Sequence, residues 1–206
     1  MRASLKTYQS LSQKLNFKGT LPHTKDWLAA ADFLELITDH CLATRPRTIL
    51  ECSSGLSTLI LARCCQINQY GNVLSLENGA DYAASTKKNI HLYGLDNYAT
   101  VIDAPLHKIQ VNENSYQWYK IDKSSIPEVD LLIIDGPNGY IQKNSRYPAL
   151  PVLHSLFAEH CTVFLDDAAR EDEQEIIRQW RQQYQPAEYK YIETERGCAI
   201  FKFSSL

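Results

Sequence analysis

The sequence lacks the long apolar runs that mark membrane and secreted proteins. No run approaches the roughly 18 consecutive apolar residues of a membrane-spanning helix. The N-terminal stretch MRASLKTYQSLSQKLNF has no continuous apolar segment of the kind that signal peptides carry. We therefore expect a cytoplasmic protein that does not contact a membrane.

Cysteine pairs with the CxxC spacing of metal and redox motifs are also missing. None of the 6 cysteines belongs to a CxxC pair, and a zinc site needs ligands that cluster more tightly. We expect reduced, buried thiols. There is no internal repeat and no low-complexity tract, and the absence of G-x-x-x-x-G-K-[ST] excludes a P-loop NTPase.

The chain has little excess charge of either sign. Its formal net charge of -3 argues against a broad basic face for nucleic acid. The 206 residues suit a single domain, which we divide into an N-terminal helical segment, 1–45, able to act as a lid, and a core, 46–206.

Several apolar runs end in an acidic residue. The runs 48–50, 73–76, 99–102, 131–134 and 163–165 are followed by Glu51, Glu77, Asp103, Asp135 and the Asp166-Asp167 pair, respectively. Such runs are typical of strands buried on both faces of a parallel sheet. Because ligands bind outside the carboxyl ends of such strands, we expect the functional site at this acidic edge.

Helical patterns alternate with these runs, which predicts an α/β fold with helices on both faces of a parallel sheet. We predict strands at 48–52, 72–77, 99–103, 129–135 and 161–166, and helices at 25–43, 57–68, 80–93, 147–158 and 172–184. The segments 189–192 and 198–203 predict a hairpin that adds an antiparallel last strand. Residues 106–128 predict an irregular excursion or a short ribbon.

A glycine turn follows the first strand. Gly55 lets the backbone approach a ligand, and Ser57 can cap the next helix. Glu77, at the end of the next strand, could accept both hydroxyls of a ribose. A tight turn and a solvated strand-end glutamate are the alternatives at these positions.

The turn resembles motif I of the class I S-adenosylmethionine-dependent methyltransferases, E-x-G-x-G-x-S/T, as Glu51-x-Ser53-x-Gly55-x-Ser57. The resemblance spans about residues 25–203 and includes 75–77, 94–95, 103–106, 134–137 and 165–167. It implies a Rossmann-like, doubly wound, seven-stranded sheet. Ser53 replaces the first glycine, which predicts either a narrower pocket or an unusual local φ.

The resemblance also implies positions for S-adenosylmethionine. Glu51 and the turn from Ser53 to Ser57 would lie near its methionine part, and Glu77 would hold the ribose. Asp103 and Ala104 would border the adenine. We include Asp135 among the cofactor-binding residues.

Three carboxylates, those of Asp135, Asp166 and Asp167, are expected to converge at the acidic edge. Without a cation they would repel one another, whereas a hard divalent ion would relieve the repulsion. The pattern resembles the metal site of catechol-type and sugar-modifying O-methyltransferases, which implies Mg²⁺. The alternative is that Asp166 and Asp167 cap turns without a metal.

The general base is harder to assign. The metal-dependent relatives have Lys or Asp where this chain has Pro137 and Asn138. We predict Asp135 and His23 as catalytic residues, together with Arg146, which lies near the expected site.

These observations predict an S-adenosylmethionine-dependent methyltransferase. We favour Mg²⁺-assisted O-methylation of a small hydroxylated acceptor such as a sugar. The alternatives are a metal-independent N- or macromolecule methyltransferase, a nicotinamide dehydrogenase, and a non-catalytic cofactor- or sugar-binding module. The Asn-Pro-Pro-Tyr signature of adenine amino methylation is missing. The sequence leaves homo-oligomer formation open.

Overall fold

A computed structural model of the chain describes residues 2–18, 21–22 and 29–204. Six helices lie in these ranges: α1 Arg2–Lys14, α2 Ala31–Thr44, α3 Leu56–Asn68, α4 Ala80–Leu92, α5 Ala149–Leu153 and α6 Glu171–Tyr184. The strands are β1 Thr48–Cys52, β2 Asn72–Glu77, β3 Ala99–Asp103, β4 Leu106–Val111, β5 Asn114–Tyr119, β6 Val129–Ile134, β7 Phe157–Leu165, β8 Glu188–Ile192 and β9 Cys198–Ser204. No helix in the described ranges is long and apolar enough to cross a bilayer.

Seven strands form one sheet in the order β3-β2-β1-β6-β7-β9-β8. In this sheet, strands β3, β2, β1, β6 and β7 run parallel to one another, and β9 is antiparallel to both of its neighbours, β7 and β8. This confirms the predicted mostly parallel sheet with an antiparallel last strand, which lies between β7 and β8. The chain reverses its direction of strand addition between β1 and β6, and ligands bind at such switch points.

The central strands are buried because they are apolar on both faces. Every residue of β1 is buried. Alternate side chains point to opposite faces, so Ile49 packs among α1 to α4, whereas Leu50 packs with α5, α6 and the β4–β5 ribbon. Helices therefore cover both faces, as the sequence predicted.

The chain departs from the predicted boundaries in two places. The helix expected at 147–158 is the short α5 followed by a 3-10 turn, His154–Leu156, and β7 already begins at Phe157. Phe157 pairs with Val129, and this early pairing ends the helix. The helix expected from residue 25 begins at Ala31, and residues 23–28 lie outside the described ranges. Residues 106–119 form the antiparallel β4–β5 ribbon.

The cysteines agree with the sequence prediction. All six are free and buried. Cys41 in α2 and Cys64 and Cys65 in α3 belong to the core on one face of the sheet. These thiols therefore serve as small apolar packing groups.

Gly136, directly after β6, is a point of close contact between the sheet and the ribbon. A Cβ at this position would lie 2.4 Å from the Tyr119 hydroxyl oxygen and 3.0 Å from Ser53 Cβ. Tyr119 is the last residue of β5, and its side chain is buried against the sheet edge. Only glycine allows the ribbon to pack this closely over the ends of β1 and β6.

We predict that Gly136→Ala lowers the free energy of unfolding by about 1–3 kcal/mol, the usual range for an overpacked buried site. In a Tyr119→Phe background the same change should cost less, because the nearest obstructing atom is gone. Chemical denaturation of the four proteins in this double-mutant cycle measures the difference. An equal cost in both backgrounds would show that the Tyr119 hydroxyl is not the obstacle.

Candidate active site

A cavity of about 560 Å³ opens at the carboxyl edge of the sheet, where the acidic strand ends meet. It lies over the ends of β1, β2, β6 and β7, at the switch point of the topology. Its walls are formed by Ser53, Ser54, Glu77, Asn78, Gly79, Tyr82, Tyr119, Asp135, Gly136, Pro137, Asn138, Tyr140, Ile141, Arg146, Asp167, Arg170 and Arg196. A concave site with converging polar groups is the usual form of a ligand pocket.

The glycine turn, Ser53 to Gly55, connects β1 to α3 at one wall of this cavity. Ser53 has φ 102, a left-handed conformation that a serine rarely adopts. Serine therefore retains the unusual backbone angle expected at a glycine position, at the expense of strain. A Cβ built on Gly55 would meet no atom within 4 Å, so open space lies beside the turn.

We predict that Ser53→Gly raises the free energy of unfolding by roughly 1 kcal/mol. Relief of backbone strain, about 1–3 kcal/mol, should exceed the roughly 0.5–1 kcal/mol that glycine costs through chain entropy. Ser53→Ala is the matched control, since it removes the hydroxyl and keeps the strained Cβ. Chemical denaturation should show stabilisation only for glycine, and equal stabilities of the two variants would contradict the strain argument.

Glu51 lies beneath the glycine turn and does not line the cavity. Its Oε2 accepts hydrogen bonds from the hydroxyls of Thr58 and Ser75, both at 2.6 Å. Thr58 in turn accepts the Gly55 N–H at 3.0 Å, so the carboxylate holds the first turn of α3 against β2. Burial raises the pKa of Glu51 to about 7, although hydrogen bonds from Ser57, Ser75 and Thr58 lower it.

The raised pKa of Glu51 has a predictable effect on stability. Between the ordinary value of 4.5 and about 7, the folded protein binds this proton more tightly than the unfolded chain does. The free energy of unfolding should therefore fall as the pH rises through this range. Glu51→Gln should remove this part of the pH dependence, on the order of 3 kcal/mol.

Denaturation at several pH values measures this difference between the wild type and Glu51→Gln. Glu113→Gln is the matched control, because Glu113 is exposed at the tip of the β4–β5 ribbon. Parallel pH profiles for the wild type and Glu51→Gln would refute the assignment.

Glu77 ends β2 and faces the cavity. Its Oε2 accepts the Ser54 N–H at 2.9 Å and the Ser54 hydroxyl at 2.8 Å, and its Oε1 accepts the Gly79 N–H at 2.8 Å. A carboxylate has about four acceptor sites, and these contacts use both sites on Oε2 and one on Oε1, so Oε1 can still accept a ligand hydroxyl. The structure thus fixes the orientation of Glu77 without saturating it.

The two residues expected to border an adenine lie outside the cavity wall. The Asp103 side chain is 69% exposed and binds Lys87 Nζ at 2.8 Å. Ala104 is buried, and its N–H donates to the Glu77 carbonyl at 2.7 Å. Asn78, Gly79 and Tyr82 line the cavity instead, directly after the strand end that the sequence identified.

The carboxylates of Asp135, Asp166 and Asp167 form a carboxylate cluster, as the strand ends predicted. Their ligand atoms all lie within 4.8 Å of one another. Asp135 and Asp167 line the cavity, whereas Asp166 is fully buried behind it. The presence of Mg²⁺ at this cluster stays a prediction from the sequence.

Arg146 reaches into the carboxylate cluster from the loop between β6 and α5. Its Nη2 donates to Asp167 Oδ2 at 2.8 Å, to the Asp135 carbonyl at 2.9 Å and to Asp135 Oδ1 at 3.2 Å. Its Nη1 donates to the Asp166 carbonyl at 2.9 Å, and Nε lies 3.7 Å from Glu173 Oε1. The predicted catalytic arginine is thus a buried cation that contacts the ends of two strands.

Burial and mutual repulsion shift the pKa values of this cluster. Burial, together with the negative charges of Asp135 and Asp167, raises the pKa of Asp166 to about 8. Burial raises the pKa of Asp135 as well, and Arg146 opposes that rise. Burial lowers the pKa of Arg146, but Asp135 and Asp167 outweigh this effect and raise it overall.

The far wall of the cavity carries two more guanidinium groups. Arg170 binds Asp167 Oδ2 at 2.9 Å, and Arg196 comes from the turn between β8 and β9. Nothing in the sequence marks Arg196 as a site residue, because a single arginine in a hairpin turn gives no local signal. His23 lies outside the described residues, and its catalytic role stays a prediction.

Comparison with known proteins places the fold. No protein-family model and no curated protein sequence matches the chain. The O-methyltransferase TomG from Streptomyces achromogenes, solved with SAM, matches with a TM-score of 0.65 and 13% identity, over 100% of this chain and 91% of that one. The SAH-bound methyltransferase PaMTH1 from Podospora anserina matches with a TM-score of 0.67 and 12% identity, over 99% of this chain and 88% of that one. The SAH-bound O-methyltransferase from Bacillus cereus matches with a TM-score of 0.64 and 16% identity, over 97% of this chain and 91% of that one.

At these identities the likeness shows the fold. The chain has the Rossmann-like fold of the class I S-adenosylmethionine-dependent methyltransferases, which confirms the fold that the motif resemblance implied. What the cavity binds has to be argued from its own residues.

Proposed function

We propose that this protein is an S-adenosylmethionine-dependent methyltransferase that acts on a hydroxyl oxygen of a small acceptor. The observation that carries the proposal is the pairing of Glu77 with the glycine turn at one cavity wall. Glu77 is held by Ser54 and Gly79 and still has a free acceptor site on Oε1. The proteins of the same fold that bind SAM or SAH support this choice of ligand.

The residues of this wall fit the proposed cofactor. The open space beside Gly55 would admit a ligand that approaches the backbone closely. Glu77 would accept a ribose hydroxyl at the free site on Oε1, and Tyr82 offers an aromatic surface nearby. Bound S-adenosylmethionine would supply a methyl group activated by a positively charged sulfur.

The opposite half of the cavity is the proposed acceptor site. Its walls are polar and include Asn138, Tyr140, Arg170 and Arg196, which suits an acceptor rich in oxygen atoms. A pocket of about 560 Å³ shared with a cofactor leaves room only for a small molecule. Positioning the acceptor oxygen next to the methyl group is the main contribution of such a site.

Asp135 is our candidate for the group that receives the acceptor proton. It is the residue of the carboxylate cluster that both lines the cavity and directly follows β6, at the switch point. Its side chain is 20% exposed, so an acceptor hydroxyl can reach it. Lys143, a lysine in the loop that carries Arg146, lines a separate depression and is therefore not placed to act as the base.

A metal-independent methyltransferase that acts on nitrogen or on a macromolecule is the second candidate, and the position of Arg146 fits its independence of a metal. A buried guanidinium already lies among the carboxylates that were expected to hold Mg²⁺. The small polar cavity supports a small-molecule acceptor more than a macromolecule. The non-catalytic binding module would bind the cofactor without transferring its methyl group to any acceptor.

We predict that Glu77→Ala weakens binding of S-adenosylhomocysteine by about tenfold or more, the scale of a lost charge-assisted contact. Asp103→Ala is the matched control, because Asp103 also ends a strand but lies outside the cavity. It should weaken binding much less. Isothermal titration calorimetry measures both affinities, and thermal melting checks that the variants are folded.

If the wild type does not bind S-adenosylhomocysteine, the proposed cofactor is wrong. Titration of a nicotinamide dinucleotide into the same sample then tests the dehydrogenase alternative. If the cofactor binds but Glu77→Ala binds equally well, the ribose assignment is wrong and the cofactor assignment stands. Formation of S-adenosylhomocysteine on a panel of hydroxylated small molecules tests the transfer itself.

A further inference from the structure

The guanidinium of Arg146 lies where a divalent cation would be expected. One of its nitrogens, Nη2, contacts Asp167 Oδ2 at 2.8 Å and Asp135 Oδ1 at 3.2 Å. The side chain is only 3% exposed. One oxygen of Asp135 and one of Asp167 therefore already share a positive charge that the chain itself supplies.

An added Mg²⁺ would conflict with this arrangement. Such an ion binds oxygen at about 2.1 Å. If it used Asp167 Oδ2, it would lie within about 5 Å of Nη2, since that oxygen is 2.8 Å from the nitrogen. The ion would be repelled by the guanidinium and would compete with it for the same lone pairs.

The oxygens that remain unpaired do not offer a better site. Neither carboxylate oxygen of Asp166 has a hydrogen bond among the described residues, nor has Asp167 Oδ1. Asp166 is fully buried and does not line the cavity. Mg²⁺ usually keeps several water ligands, and the fully buried side chain of Asp166 leaves no room for them.

Two further arginines add positive charge next to the carboxylates. Arg170 Nη1 binds the same Asp167 oxygen at 2.9 Å, and Arg196 lines the cavity on the same side. Asp135 and Asp167, the two cavity-facing carboxylates, thus each have an arginine partner.

We infer that Arg146 takes the place of a divalent cation in this site, so that the protein needs no Mg²⁺. Arg146 is then a positioning residue. It neutralises Asp135 and Asp167, and its bonds to the Asp135 oxygens hold that side chain at the cavity wall. This inference rests on the proposed function and deepens it by assigning the methyl-transfer site no metal.

The test is the binding of Mn²⁺, a paramagnetic substitute for Mg²⁺, measured by electron paramagnetic resonance. Wild type should show no stoichiometric binding, and its affinity for S-adenosylhomocysteine should be the same in Mg²⁺ and in chelator. Arg146→Met removes the charge and leaves the carboxylates unbalanced, so this variant should gain Mn²⁺ binding and melt at a higher temperature when Mn²⁺ is present. Arg146→Lys is the matched control, since it keeps the charge and should gain neither.

Stoichiometric Mn²⁺ binding by the wild type that is lost in Asp166→Asn would overturn the inference. A folded Arg146→Met variant that gains no Mn²⁺ binding would overturn it too. In that case the carboxylates would not bind a divalent cation even when the arginine is removed. If Arg146→Met does not fold, the comparison of the wild type with Asp166→Asn decides. The Mn²⁺ measurement needs neither cofactor nor acceptor, so its failure is distinct from a failure of the proposed function.

Discussion

The structure of the cavity depends on one buried ion pair network, that of Arg146 with Asp135 and Asp167. Burying any of these charges alone would be costly, and removing one partner of a buried pair usually destabilises a protein strongly. The network also joins backbone, because Arg146 donates to the carbonyl groups of Asp135 and Asp166. These residues directly follow β6 and β7, so a single side chain connects the ends of the two strands at the cavity.

Arg146 can do this only because the loop that carries it is fixed on both sides. The Gln142 side chain accepts the Gln117 N–H at 2.8 Å and donates to the Gln117 carbonyl at 3.1 Å, which attaches the loop to the ribbon. After Arg146, the Tyr147 carbonyl accepts the indole N–H of Trp180 in α6 at 3.1 Å. A site held by such supporting contacts is organised before its ligand arrives.

The sequence predicted the sheet well because buried parallel strands carry their own signal. Runs such as Leu131–Ile134 are apolar on both faces, and the acids that follow them mark the edge where the cavity opens. The residues that pair with those acids could not be predicted from the sequence. Asp135 and Arg146 meet through the folding of an eleven-residue excursion, and Arg196 joins them from the far end of the chain. Contacts of this kind depend on tertiary packing and leave no periodic pattern in the sequence.

The two halves of the cavity therefore differ in how much the sequence reveals about them. The proposed cofactor half is built from strand ends and the turn after β1, where position in the fold fixes the role of Glu77. The proposed acceptor half is built from loops, and loops position chemistry without a fixed pattern. Three carboxylates at strand ends predicted Mg²⁺, and its binding stays a prediction. What local sequence could not show is that Arg146, a residue of the chain itself, lies among those carboxylates as a cation. The charge at the strand ends therefore cannot be counted from the strands alone, because the loops that cover them contribute charged side chains as well.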